Sequence, residues 1–205
     1  MNMRTQALIG GTHFDRMIRR SFSRSHRLTC DAAFTFRMGA GFVGAVNRSH
    51  PAGIEPCMMD PANPVLQYGL AVMADNAAPN GVRSVLASDS ALTSIFGIAV
   101  RPFPITPQAG TNFGAAAFGS VAPSTFLPLD VLKSGYIMVS LGGVAAALKG
   151  APVFVYYGVS SGSHVQGGFE AAAGANLAAL DASGNRIYFN GPADANGIVE
   201  LVFNP

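Results

Sequence analysis

The sequence predicts an all-β protein, a compact sandwich or barrel with long irregular arms and a basic N-terminal extension. Residues that form turns are abundant, with 24 Gly and 13 Pro among 205 residues, whereas strong helix formers such as Lys, Glu and Gln are scarce. Short apolar segments follow one another with Gly, Asn and Asp turns between them, and no strands alternate with helices. Short strands at this spacing are typical of sandwiches and barrels.

The predicted strands begin at residue 65. Residues 76–81 form a turn cluster between the segments 65–74 and 82–87, and Asn80-Gly81 within it is a strong hairpin signal. Residues 170–180 are rich in Ala and Leu and predict one or two helical turns. The other predicted strands are 91–101, 133–141, 151–159, 164–171, 185–191 and 197–204.

Two segments, residues 39–64 and 102–129, show neither a helical nor a strand period and contain Phe among Gly and Pro. Structureless loops of this length are unusual in a small domain and tend to be functional. An extended chain can lie across a partner and offer it main-chain hydrogen bonds and apolar anchors. We therefore expect two bridging arms, and their candidate partner-binding residues are Phe42, Asn47, Arg48, His50, Arg101, Phe103, Phe113 and Phe118.

The polar residues of these arms allow two interpretations. The stretch 47–51 reads NRSHP, which is either a turn capped by the Asn and Ser side chains or a site where Arg48 binds a carboxylate or carbonyl of a partner. Both can hold at once. Arg101 lies where a strand changes to coil, so it is either an interface arginine or a solvated strand end.

Residues 1–37 form a basic leader that differs from the rest of the chain. They contain seven Arg and two acidic residues, 7 − 2 = +5, while residues 38–205 contain six basic and nine acidic residues, 6 − 9 = −3. The leader is a disordered arm, a transit-like segment, or a stretch that is not translated because synthesis starts at Met38, which is the interpretation that we favour. Residues 38–205 are expected to form a single β-rich domain.

The composition restricts the partners. Charged residues make up 12% of the chain, about half the usual fraction, so part of the surface is expected to meet another protein. Because the domain is acidic, nucleic-acid binding is not expected. No segment reaches the ~20 apolar residues of a membrane helix, and two cysteines, Cys30 and Cys57, suit synthesis in a reducing cytoplasm.

Catalytic and metal-binding patterns are weak. Residues 158–162 match the G-x-S-x-G pattern of serine hydrolases with Ser160 as nucleophile, but the following residues do not predict the helix that such an elbow requires. His164 is more easily explained as a turn or interface residue than as a catalytic base. The four His residues do not cluster with Cys or Asp as zinc ligands do. We expect no catalytic residues, no metal and no cofactor.

Several stretches resemble the structural cement proteins of tailed bacteriophages, the minor capsid or head-decoration proteins. They are FRMGAGFVGAVNRSHPAGIEP, YGLAV, ALTSIFGIAVRPFP, DVLKSGYIMV and SSGSHVQGGFEA with NGPADANGIVELVF. The resemblance extends in order from Met38 to Phe203, and NRSHPAGIEP and HVQGGFEA are its most specific parts. It begins near Met38, in agreement with a start of translation there.

The resemblance implies a role without catalysis. Such proteins bind the outside of an expanded icosahedral head, span neighbouring subunits of the major capsid protein, and act as dimers or trimers. Their folds are mostly β, jelly-roll-like or small barrels. The expected partners are therefore the major capsid protein and further copies of this chain, on the exterior of the virion. Two rival hypotheses are an esterase-like hydrolase centred on Ser160 and a head fibre that binds the host surface.

Overall fold

The computed structural model describes residues 41–48, 52–90, 92, 95–102, 122–125, 127–180 and 186–205. Their secondary structure is entirely β, which confirms the predicted fold class. The ten strands of the described residues are β1 (Gly53–Met59), β2 (Ala71–Asp75), β3 (Gly81–Ser84), β4 (Gly97–Ala99), β5 (Leu129–Ser140), β6 (Phe154–Tyr156), β7 (Phe169–Glu170), β8 (Leu177–Ala179), β9 (Ile187–Phe189) and β10 (Ile198–Phe203).

Five strands close into a small barrel. The hydrogen-bonded order is β1-β3-β2-β4-β5, and β1 pairs in addition with β5, so that the first and last strands of this row meet. The β1–β3 pair is parallel, whereas β1–β5, β2–β3, β2–β4 and β4–β5 are antiparallel. Closure leaves no free edge in the barrel.

Side chains from one face of each barrel strand fill the barrel interior. Alternate residues of a strand point to opposite faces, and the inward residues form a buried apolar cluster that includes Cys57, Val72, Val82, Ala99 and Val131. The thiol of Cys57 is buried there, and burial raises its pKa. The barrel therefore has a core of its own.

A second layer packs against the outside of the barrel. Strand β5 extends beyond the barrel, and its second half pairs with β10, which pairs with β9. A sheet with the order β7-β6-β8 completes this layer. Outward barrel residues such as Ile98 and Leu132 share one buried cluster with Phe169, Phe189 and Phe203. Both faces of β4 are thus buried, and so are most residues of β5.

The hairpin predicted at Asn80-Gly81 is present. Strands β2 and β3 pair antiparallel, with Asp75 opposite Gly81. Asn80 has a φ of 59°, the left-handed conformation that Asn tolerates better than most residues. The local turn chemistry therefore indicated this part of the topology correctly.

Three expectations about individual segments differ from the structure. Residues 53–59 within the first expected arm form β1, because Cys57 and Met59 alternate into the barrel core. The one or two helical turns expected at 170–180 are wrong, since this stretch holds the end of β7 and all of β8. The predicted strand 91–101 shortens to β4 among its described residues. Of the architectures that the resemblance implies, jelly-roll-like folds and small barrels, the described strands form a closed five-stranded barrel with a second layer.

The expected domain limits stay a prediction. The described residues belong to one compact unit, Ala40–Pro205. The leader of residues 1–37 lies outside the described residues. Most of the second expected arm, residues 103–121 and 126, lies outside them as well, and its last residue, Leu129, begins β5.

Candidate functional site

The stretch 41–48 lies along the second half of β5. It contains three of the candidate partner-binding residues and contacts a fourth, Arg101. Val46 forms an antiparallel bridge with Ile137. The Gly44 amide donates to the Met138 carbonyl at 2.7 Å, and the Met138 amide donates to the Ala45 carbonyl at 3.0 Å. Because β10 occupies the other side of β5, this segment adds a further extended chain to the second layer. Residues 41–48 are therefore bound to their own subunit.

Two glycines allow this close approach. A Cβ at Gly44 would lie 2.6 Å from Cβ of Tyr68, and a Cβ at Gly69 would lie 2.5 Å from Cγ1 of Val43. Both glycines also have positive φ angles, 81° and 77°, which disfavour other residues. The glycines that made this segment look irregular are thus needed for its packing.

Asn47 and Arg48 converge on Glu200 of β10. The Arg48 guanidinium donates from Nε to Oε1 at 3.2 Å and from Nη2 to Oε2 at 3.0 Å, and it lies 4.3 Å from the ring centroid of Tyr136. The side-chain amides of Asn47 and Asn190 also donate to this carboxylate. Partial burial opposes ionisation of Glu200, but these hydrogen bonds outweigh it and lower its pKa.

Arg101 and Phe42 form a second cluster next to the first. The Arg101 amide donates to the Gly44 carbonyl at 2.8 Å, and its guanidinium carbon lies 5.4 Å from the ring centroid of Phe42. Arg101 is only 8% exposed, while Phe42 is 61% exposed. Among the described residues, none provides a hydrogen-bond partner for the buried Nε and Nη2 of Arg101, and burial lowers the pKa of this guanidinium.

Four predicted residues can be placed in the structure and four cannot. Phe42, Asn47, Arg48 and Arg101 lie within two neighbouring clusters, and their contact with a partner stays a prediction. The carboxylate bound by Arg48 belongs to its own chain. The turn predicted at 47–51 stays a prediction, because its last three residues lie outside the described ones. His50, Phe103, Phe113 and Phe118 lie outside the described residues.

Exposed apolar residues that we did not predict lie on β1. Ile54 and Met58 are 46% and 51% exposed, and Pro56 between them is also exposed. Their spacing places all three on the outer face of one barrel strand. The alternation in IEPCMM was the available signal, which the neighbouring Gly and Pro obscured. Other exposed apolar side chains are Leu66, Leu127, Val144, Leu148 and Val159.

The described geometry around Ser160 does not resemble a hydrolase site. The Ser160 hydroxyl oxygen accepts a hydrogen bond from the Gln166 amide at 2.9 Å, and a turn follows it in place of a helix. His164 Nδ1 lies 2.6 Å from Glu170 Oε1, and the His164 ring stacks on Tyr156 with centroids 5.0 Å apart. These contacts are those of a histidine that stabilises a turn over a buried carboxyl group.

The described residues contain no group of three or more His, Cys, Asp or Glu that could hold a metal ion. Within these residues there is also no helix with the length and apolar character required to cross a bilayer.

Comparison with known proteins identifies the kind of protein. The structure is similar to a chain in "The capsid of Myoviridae Phage XM1", with a TM-score of 0.56 and 19% identity over 82% of this chain and 93% of that chain. This likeness shows the fold. The family described as XM1 gp53 minor capsid protein matches residues 32–203, and comparison with curated proteins gives no match. The chain is therefore an all-β capsid protein of a bacteriophage.

It belongs to the XM1 gp53 minor capsid protein family. The resemblance inferred from the sequence is thereby confirmed at the level of phage minor capsid proteins, and a structural role within the virion follows from it. The family match begins at residue 32, ahead of Met38, and ends at Phe203.

Proposed function

We propose that this protein is a capsid cement protein that binds the outer surface of the expanded head and bridges neighbouring subunits of the major capsid protein. Membership in a minor capsid family supports this role. The observation that most directly supports a docking surface is the row of Ile54, Pro56 and Met58 on the outside of the barrel. Exposed apolar residues along one strand are suited to burial against another protein.

The stabilising effect follows from mass action. A protein that binds the assembled lattice, but not its separated subunits, shifts the equilibrium toward the lattice. Each bound copy adds an interface that exists only when neighbouring shell subunits are correctly spaced. Many copies together then oppose the outward pressure of packaged DNA. This role requires no catalytic step, and we propose that the protein has no enzyme activity.

The main experiment compares heads made with and without this protein. Heads that lack it are expected to lose DNA at a lower temperature, and added purified protein is expected to co-sediment with empty expanded shells and restore their stability. Unchanged heat resistance and DNA retention in its absence would contradict a cement role. Strong binding of the free protein to host cells would support the head-fibre hypothesis in its place.

Variants test the proposed surface. The double substitution Ile54→Ser/Met58→Ser changes exposed side chains and should leave folding intact while weakening co-sedimentation with shells. The matched double variant Val144→Ser/Leu148→Ser changes two exposed apolar residues of a different loop. If both variants lose binding to the same extent, the assignment of the contact to β1 is wrong.

Two further measurements test the remaining parts of the proposal. Analytical ultracentrifugation of the free protein distinguishes the dimer or trimer that we expect from a monomer. Labelling by a fluorophosphonate probe that disappears in Ser160→Ala would show a nucleophilic serine and contradict the non-enzymatic role.

A further inference from the structure

Arg101 has an unusual environment for an arginine. Its side chain is more than nine-tenths buried, yet in the part of the chain that the structure describes no group accepts a hydrogen bond from Nε or Nη2. A buried charge is costly unless it is paired and hydrogen-bonded. The neighbouring Phe42 ring covers one face of the guanidinium, but a ring face does not accept the two in-plane hydrogen bonds of Nε and Nη2. With respect to residues 41–48, 52–102 as far as described, and 122–205 as far as described, these two donors are therefore unsatisfied.

The two donors form one edge of the guanidinium. Nε–H and one Nη–H group point in the same direction and match the two oxygens of a carboxylate. Arg48 of the same chain uses the same two atoms to bind Glu200. Arg83 also binds a carboxylate with two nitrogens, at 2.8 and 2.9 Å from Asp89. Arg101 thus presents the same pair of donors, Nε and Nη2, with which Arg48 binds a carboxylate.

We propose that Arg101 binds an Asp or Glu carboxylate of a neighbouring protein in the capsid, so that the docked state supplies the missing acceptor. This inference rests on the proposed function and adds to it the chemistry of one contact. A carboxylate fits better than a nucleic-acid phosphate, because residues 38–205 have a net charge of 6 − 9 = −3 and would repel a polyanion.

Docking at this position requires a local rearrangement. Both unsatisfied atoms are shielded from solvent in the free chain, so a neighbouring side chain must shift when the carboxylate arrives. Phe42 is suited to do so, since its ring is largely exposed and Gly41, which precedes it, has a φ of 125°. The exposed face of Phe42 can then pack against the same neighbour.

The first test uses the stability of the free protein. Arg101→Met removes an unpaired buried charge and keeps apolar volume, so its Tm is expected to equal or exceed that of the wild type. The control Arg48→Met removes a paired arginine and is expected to lower Tm. If Arg101→Met lowers Tm as much as Arg48→Met does, Arg101 has a structural role in the free chain and the proposal is wrong.

The second test uses binding to expanded shells that lack this protein. Arg101→Met is expected to weaken binding by about 30-fold, and Arg101→Lys should also weaken it because a lysine lacks the two-donor edge. Lys149→Met, which changes an exposed lysine, is the matched control and should bind as the wild type does. Wild-type binding by Arg101→Met would overturn this inference alone, whereas failure of the wild type to bind shells would overturn the proposed function.

The identity of the acceptor is tested with variants of the shell. Among Asp→Asn and Glu→Gln variants of the shell protein, one is expected to weaken binding of the wild type but to have no further effect on Arg101→Met. A fluorescent single-stranded oligonucleotide serves as the alternative ligand. If the wild type binds it and Arg101→Met does not, the acceptor is a phosphate and the proposal of a carboxylate is wrong.

Discussion

The guanidinium of Arg48 faces the carboxylate of Glu200 across strand β5 in a two-point hydrogen-bonded pair, with distances of 3.2 and 3.0 Å. Arg48 ends the described segment 41–48, and Glu200 lies in β10 opposite Met138. Because β5 runs between them, the pair joins both neighbours of this strand on one face. The pair thus attaches the segment that contains Phe42 to the second layer of the fold.

Removal of this pair is expected to destabilise the fold modestly. In Arg48→Met the Glu200 carboxylate keeps its two asparagine donors but loses its counter-charge and the contact of the guanidinium with Tyr136. Arg48 is 49% exposed, so solvent screens part of the interaction, and we expect a loss of about 1 kcal/mol in the free energy of unfolding. Urea denaturation measures it. Lys149→Met is the control, and an equal loss there would show that the Glu200 pair contributes nothing.

Stability is expected to fall at acid pH through Glu200 and Asp89. Hydrogen bonds from Arg83 lower the pKa of Asp89, and the Glu200 pKa is lowered as well. A carboxyl group whose pKa is lower in the folded state than in the unfolded state stabilises the fold above the unfolded value. This contribution is lost as the pH falls through the folded value. The loss should therefore begin below the ordinary values of 4.5 for Glu and 3.8 for Asp.

Urea denaturation at a series of pH values tests this dependence. Glu200→Gln and Asp89→Asn are each expected to be less stable than the wild type at pH 7 and to lose less stability on acidification. Identical slopes in the variants and the wild type would show that other groups cause the acid dependence.

Local patterns predicted the fold class but not the closure of the barrel. The Asn80-Gly81 turn and the apolar segments after residue 65 can each be recognised from a few neighbouring residues. Strand β1 was missed because Gly53 and Pro56 lower its apparent strand propensity. Its parallel pairing with β3 and its pairing with β5 depend on contacts between distant residues. The helical turns expected at 170–180 were wrong because burial of Ala178 and Leu180 outweighed the helix propensity of Ala and Leu.

The sequence singled out the polar residues of the candidate site but not their internal partners, and their contact with another protein stays a prediction. Asn47, Arg48 and Arg101 are polar residues in an otherwise apolar, glycine-rich context, which made them visible in the sequence. Glu200, the partner of Arg48, is 152 residues away along the chain, and no local sequence pattern indicates a contact between residues so far apart. That Arg101 is buried and that two of its nitrogens have no acceptor among the described residues could be recognised only from the three-dimensional structure.

Gly97 is expected to be essential for closing the barrel. A Cβ at this position would lie 2.4 Å from Cγ1 of Val131 and 2.6 Å from the carbonyl oxygen of Leu132. The Leu132 carbonyl is part of the β5 backbone and cannot move without disturbing the barrel. Gly97→Ala should lower the free energy of unfolding by about 1–3 kcal/mol, as measured by urea denaturation.

The matched control for this substitution is Gly191→Ala. A Cβ at Gly191 would meet no atom within 4 Å, so this variant should be neutral or more stable by about 0.4–1 kcal/mol through the unfolded state. If Gly97→Ala proves as stable as Gly191→Ala, β4 and β5 are not packed as closely as described.

His164 is expected to stabilise the fold by binding the buried carboxyl group of Glu170. The two side chains lie 2.6 Å apart, and Glu170 is only 5% exposed. His164→Phe keeps a ring that can stack on Tyr156 but has no hydrogen-bonding nitrogen, so it leaves Glu170 without this partner. We expect a loss of about 1–3 kcal/mol in the free energy of unfolding. Glu170→Gln in the His164→Phe background should recover part of it, because an amide costs less to bury than an ionised carboxylate. Equal stability of His164→Phe and the wild type would show that the histidine acts only through its ring.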